Sequence, residues 1–147
     1  MKGYDTILVG VDAERGSEEA LRRAIDMARG CDAELHVAHS VYVPPGWWGA
    51  APAVSVDVAS LQEASADELW QQVETALAEF ADVVVHRHKL EGHPPDALLD
   101  LADEVDADLI VLGTHGRGEV SSFLLGSTGH RVIAHASADV LVVKHEV

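Results

Sequence analysis

Five short apolar runs recur along the chain, and the stretches between most of them switch to helical spacing. Thr6 to Val11 is almost continuously apolar, the pattern of a strand covered on both faces in a parallel sheet. Further strands are predicted at Ala33–Val41, Val83 to about Leu90, Leu109–Gly113 and Asp139–Val143. A helix is predicted to start at Ser17 as N-cap, with Glu18 and Glu19 in the first turn where the helix dipole favours acids. Ala20, Leu21, Ala24, Ile25 and Ala28 form its apolar face, and Gly30 is expected at C′. Leu61–Phe80 reads as a second helix, with Ala64, Leu69, Val73, Ala76, Leu77 and Phe80 facing inward. Gly92-His93-Pro94-Pro95 is a turn leading into a third helix, Asp96–Val105, and Ser127 to about Ala136 is a fourth. Pro44 to about Ser60, with Gly46, Trp47 and Trp48, reads as a long loop, a functional or a mobile one.

Alternating strands and helices call for an α/β fold, an open and mostly parallel sheet with right-handed crossovers and helices on both faces. The 147 residues are expected to form a single domain, residues 1–147. In such sheets ligands bind beyond the carboxyl ends of the strands, where the strand order reverses. The first and fourth strands end there in Asp12 and Gly113.

Gly113-Thr114-His115-Gly116-Arg117-Gly118 follows the fourth strand, and Gly126-Ser127-Thr128 opens the fourth helix. A strand that ends in a glycine-rich turn and feeds a helix N-terminus suits a phosphate: the glycines let the backbone approach, and first-turn N–H groups point at the anion. The pattern predicts a nucleotide whose phosphates lie between Gly113 and Thr128.

Composition narrows the partners. Twenty-five acidic against 10 basic residues give a formal net charge of -15, and Lys2, Lys89 and Lys144 are the only lysines. That balance argues against nucleic acid and against anionic membrane surfaces. It fits either adaptation to high salt or an ordinary acidic surface. A polyphosphate is repelled at long range, so its site must be made locally, from helix N–H groups, Arg117 and a divalent cation. No apolar run approaches the roughly 20 residues that span a bilayer. Met1–Asp5 lacks the apolar segment of a signal peptide, and a cytoplasmic protein is expected. Cys31 alone excludes an intramolecular disulfide and reads as a small packing residue.

Taken together, these features resemble the universal stress protein family of the ATP-binding type. That motif is Gly, two residues, Gly, nine residues, then Gly and Ser or Thr, matched here by Gly113, Gly116, Gly126 and Ser127. Ile7-Leu8-Val9-Gly10-Val11-Asp12, then Ser17, Ala20 and Leu21, match its beginning, and Leu35–Val41, Gly92 and Asp139–Lys144 resemble later parts. The resemblance implies a Rossmann-like, adenine-nucleotide α-hydrolase-like sheet of order 3-2-1-4-5. It implies ATP with Mg2+ or Mn2+ as cofactors. Gly10 and Val11 would border the nucleotide, and Asp12 would contact the ribose or the metal ion. The backbone of Ser40 would read adenine. Gly113, Thr114, His115, Gly116 and Arg117 would wrap ribose and phosphates, and Gly126, Ser127 and Thr128 would bind phosphate. It also implies a homodimer through the fifth strand, Val140, Leu141, Val142 and Val143, which would cover an exposed apolar edge. The chain departs from the family pattern at Gly10, where Pro is frequent, and at Ala13-Glu14, where Gly-Ser is frequent.

No general base and no Walker-type lysine follow the phosphate loop, so a regulatory binding protein is expected. Two other readings stay open: a slow ATPase or nucleotide-transferring enzyme using Asp12 or His115, and a nucleotide-free structural dimer. His36 and His39 should point to opposite faces of their strand. His86 and His88 share a face and form half of a metal site at most; no third ligand is obvious, and solvated histidines are expected there. His130 and His135 are poorly spaced for a metal. Trp47 and Trp48 read as loop anchors or a cover for adenine. Arg117 pairs with either phosphate or Glu119.

Overall fold

The computed structural model describes residues 3–12, 16–41, 58–114 and 126–145. Trp47, Trp48, His115, Gly116 and Arg117 lie outside the described residues. The elements run β1 (Thr6–Gly10), α1 (Gly16–Cys31), β2 (Glu34–Val41), α2 (Val58–Leu77), β3 (Val85–Glu91), α3 (Pro94–Glu104), β4 (Leu109–Gly113), α4 (Ser127–His135) and β5 (Asp139–Val143). The strands form one sheet of order β3-β2-β1-β4-β5, with every neighbouring pair parallel.

Two apolar layers flank this sheet, and the alternation of side chains along each strand assigns residues to them. Ile7, Val9, Leu35, Val37, Leu109 and Val111 pack with Ala20, Leu21, Ala24 and Ile25 of α1 and with Leu69, Trp70, Val73 and Leu77 of α2. Leu8, Ala38, Ile110 and Leu112 face the other way, onto Leu98, Leu101 and Ala102 of α3 and Val132 of α4. Ile7, Leu8 and Val9 are fully buried in succession, which is why β1 carries no polar residue between them. Each such side chain is worth roughly 1.5–3 kcal/mol of burial. With α1 and α2 on one face and α3 and α4 on the other, the order turns back at β1 and β4. Their carboxyl ends therefore border a crevice.

Several boundaries differ from expectation for identifiable reasons. α1 runs past Gly30 to Cys31, and Asp32 (φ 55°) takes the left-handed position assigned to the glycine. Ala33 N–H donates to Ala28 O at 2.9 Å and Asp32 N–H to Arg29 O at 3.4 Å, the paired bonds of a Schellman stop. α3 ends the same way: Asp106 (φ 53°) occupies the turn, and Ala107 N–H donates to Ala102 O at 2.9 Å. Asp tolerates this conformation better than most residues. α2 begins at Val58 and ends at Leu77, about three residues earlier than its periodicity suggests. Ala64 is exposed, and Trp70, 7% exposed, takes a place in the core instead. β3 lies two residues late at its start, leaving Val84 exposed.

Candidate functional site

The carboxyl ends of β1 and β2 are tied together by two hydrogen bonds. Val11 N–H donates to Ala38 O at 2.9 Å, and Val11 O pairs with His39 Nδ1 at 2.8 Å. These bonds hold the last residues of β1 flat against β2 and leave Asp12 at the mouth of the crevice. Asp12 is fixed locally. Its backbone N–H donates to Ser17 Oγ at 2.7 Å, while the Ser17 hydroxyl donates to Asp12 Oδ1 at 2.7 Å. Ser17 therefore sits inside the first turn of α1, buried, as a bracket for Asp12 and not as the N-cap.

A cleft opens above these residues. It is lined by Gly10, Val11, Asp12 and Ser17, by Ser40 and His39 of β2, and by Gly113 and Thr114 after β4; Gly126, Thr128 and Gly129 close it from α4. Of the sequence-predicted residues, Gly10, Val11, Asp12, Ser40, Gly113, Thr114, Gly126 and Thr128 thus line one cavity. Ser127 begins α4 beside them and is exposed. Gly10 makes the floor possible: a Cβ there would stand 3.0 Å from both Leu98 Cδ1 and Leu112 Cδ2. The Ser40 hydroxyl is turned away, donating to Gly92 O at 2.7 Å. Thr114 is held by two bonds: its N–H donates to Val143 O at 3.1 Å, and its Oγ1 accepts from His145 N–H at 3.1 Å.

The helix termini differ in a way that gives the cleft its electrostatics. α1 carries Glu18 and Glu19 in its first turn and α3 carries Asp96. α4 has no acid in its first turn and, among the described residues, no side chain capping its N-terminus at Gly126. Its first N–H groups and the positive end of its dipole are thus left for an anion. Asp96 is occupied elsewhere: Arg131 of α4 donates to it at 2.8 Å and His93 Nδ1 lies 3.1 Å away. Arg131 first, then His93, hold its carboxyl below the usual carboxylate range. The pair clamps α3 to α4 beside the cleft. Sequence reasoning missed His39, Ser17, Pro94, Leu98 and Gly129 as lining residues, because their place depends on packing between elements and not on any local pattern.

A second polar cluster lies on the α3 side of the sheet, at β2 and β3. The register sets His36 against His86 and Ala38 against His88. The His36 ring stacks on His86 with centroids 4.5 Å apart and on His88 at 5.1 Å, and His36 Nδ1 lies 2.8 Å from His88 Nε2. His86 is exposed as expected and His88 half-buried, but His36, only 7% exposed, supplies the third partner that the sequence did not reveal. Burial first, then His86 and His88, lowers the His36 pKa below its ordinary value, against the pull of Glu34. Burial and His86 lower that of His88, against Glu104 of α3. Both rings are neutral at neutral pH.

Over residues 3–144 the chain matches the model of the universal stress protein family. It is 35% identical over 141 residues to a universal stress protein of Methanocaldococcus jannaschii, covering 96% of this chain and 82% of that one. Among solved structures it is similar to the universal stress protein UspA of Lactobacillus plantarum, with a TM-score of 0.81 at 26% identity over 96% of this chain and 98% of the other. It is also similar to the universal stress protein of Archaeoglobus fulgidus in complex with dAMP, with a TM-score of 0.67 at 28% identity over 97% and 98% of the two chains. With the match spanning nearly the whole sequence and the sheet in the expected order, this chain belongs to the universal stress protein family.

Proposed function

We propose that this chain is an adenine-nucleotide-binding regulatory protein of the cytoplasm. It takes ATP with Mg2+ or Mn2+ in the cleft between β1, β4 and α4, and acts as a homodimer through β5. The observation that carries the reading is the uncapped, acid-free start of α4, which closes the same cleft as Asp12, Gly113 and Thr114. The phosphates take the first-turn N–H groups and hydroxyls of Ser127 and Thr128. The Ser40 backbone faces adenine, its hydroxyl already satisfied by Gly92. Asp12, held by Ser17, meets the ribose or the metal ion. The bound dAMP of the Archaeoglobus fulgidus relative supports the purine monophosphate part of this assignment. The family resemblance assigns ribose and phosphate contacts also to His115, Gly116 and Arg117, which lie outside the described residues. At a net charge of -15, the divalent ion offsets the long-range repulsion of a triphosphate.

Calorimetric titration of the protein with ATP and AMP, each with and without Mg2+, tests this. Saturable ATP binding, strengthened by Mg2+ and lost in a Gly113→Val/Gly126→Val double variant that keeps its circular dichroism spectrum, is expected. Equal binding by the double variant, or no binding by the wild-type protein, would overturn it.

A further inference from the structure

Four side chains that no nucleotide role uses share one face of the sheet at its β3 edge. Glu34 and His36 lie two residues apart on β2, and His86 and His88 two apart on β3; alternation puts all four on the α3 side. Among the described residues, the ligand atoms of Glu34, His36 and His86 all lie within 4.8 Å of one another. His86 Nε2 is 3.4 Å from Glu34 Oε2, and His36 Nε2 is 4.0 Å from the same oxygen. Tetrahedral zinc with bonds of about 2.0–2.1 Å spaces its ligand atoms roughly 3.4 Å apart, so the group needs little closing. From this arrangement we infer a zinc-type divalent metal site formed by Glu34 Oε2, His36 Nε2 and His86 Nε2, with a water as fourth ligand.

Three features favour a metal over a simple polar cluster. His36 holds a buried position between Leu35 and Val37 on the strand next to the sheet's centre, where an aliphatic residue would pack without a desolvation cost. Its other nitrogen already has a partner, His88 Nε2 at 2.8 Å; in the tautomer with the proton on His36 Nδ1 the Nε2 lone pair is left for the ion, the outer-shell arrangement that metal-bound histidines use. The two other ligands can adjust. The His36 and His86 rings are tilted by only 19°, whereas one ion in both ring planes requires them to converge. His36 is locked by packing, and the side chains of His86 and Glu34, 45% and 56% exposed, are free to turn toward it. Glu104 of α3, whose charge acts on His88, adds to an acidic surface that attracts cations.

The site is tested by titrating untagged, nucleotide-free protein with ZnCl2 by calorimetry. One equivalent should bind. His86→Ala and Glu34→Gln, both at exposed positions that leave the fold intact, should each weaken binding at least about tenfold. A His130→Ala/His135→Ala control on α4 should bind as the wild-type protein does. His88 is a positioning residue: His88→Ala should weaken zinc about tenfold, and His88→Gln, whose amide oxygen still accepts from His36, should restore most of it. Undiminished zinc binding by His86→Ala, or no stoichiometric binding by the wild-type protein, would overturn the assignment.

Discussion

The two edge strands of the sheet occupy equivalent positions and are built oppositely. β3 reads Val85-His86-Arg87-His88-Lys89-Leu90-Glu91, with charged or ring nitrogen groups at four successive positions. On the α2 side Arg87 makes a bidentate pair with Glu74, and Lys89 lies 5.8 Å from the Trp70 ring. On the α3 side stand the histidines. β5 reads Asp139-Val140-Leu141-Val142-Val143, with Val140, Leu141 and Val142 half-buried and, among the described residues, no strand beyond it in the sheet. Lysine and other charges on an edge deter pairing with another chain, whereas an apolar edge invites it. One edge is defended, and its side chains are free of strand pairing; the other is apolar, and the proposed second copy would complete it.

The largest expected effect comes from blocking the β5 edge. Asp139 N–H and Val143 O are bonded to the β4 side, so by alternation the backbone groups of Val140 and Val142 point outward. Val142→Pro removes an outward N–H while sparing the bonds to β4, and edge strands accept proline. In a two-fold dimer the loss counts twice, roughly 2–6 kcal/mol with the orphaned carbonyls. Light scattering should move to the monomer mass with the circular dichroism spectrum kept. A dimer that persists would place the interface elsewhere.

At the β3 edge the matching experiment adds stability. Zinc at a hundredfold excess over its Kd should raise stability by about 2.7 kcal/mol, or roughly 5–10 °C in melting temperature for a chain of this size. The shift should fall by about half or more in His86→Ala, as a loss of tenfold or greater in affinity requires, and survive in full in Val142→Pro, which would separate the two edges as independent devices. A shift equal in both variants would erase the contrast.

Between these extremes lies the floor of the cleft. Gly10→Val must push aside Leu98 and Leu112, each 3.0 Å from the added carbon. Overpacking of this kind costs about 1–3 kcal/mol, and nucleotide binding should fall with it. A denaturation midpoint within error of wild type would show that the two leucines yield freely.

What was legible follows from the range of the interactions. β4 and β5 fall where the apolar runs lie: β4 because a buried parallel strand reads as a continuous apolar stretch, and β5 because its half-buried edge is apolar as well. The glycines and the α4 start are contiguous in sequence, so their shared cleft could be anticipated. The stop of α1 could not, because Asp32 takes the conformation for which Gly30 was the local candidate, whereas the end of α3 at Glu104 falls within one residue of its expected place. The histidine cluster was out of reach for a different reason. His36 and His86 are fifty residues apart, and only the β2–β3 register brings them face to face.

The smallest effect is the ion pair that guards β3. Arg87 Nη2 donates to Glu74 Oε2 at 2.9 Å, and Arg87 Nε donates to the other oxygen. The hydrogen bond from Arg87 holds the Glu74 carboxyl below its ordinary pKa and raises that of the guanidinium. A carboxyl whose folded pKa is depressed contributes stability that is fully present above the unfolded value of 4.5 and is lost as pH falls through the folded one. Both side chains are about half exposed, so the pair is worth no more than about 1 kcal/mol. Glu74→Gln should therefore lower the urea midpoint slightly at pH 7, and the two curves should converge at acid pH, where the wild-type carboxyl is protonated too. A gap that stays constant into acid would assign the loss to packing against α2, and the charges of β3 would then serve only to repel a neighbouring strand.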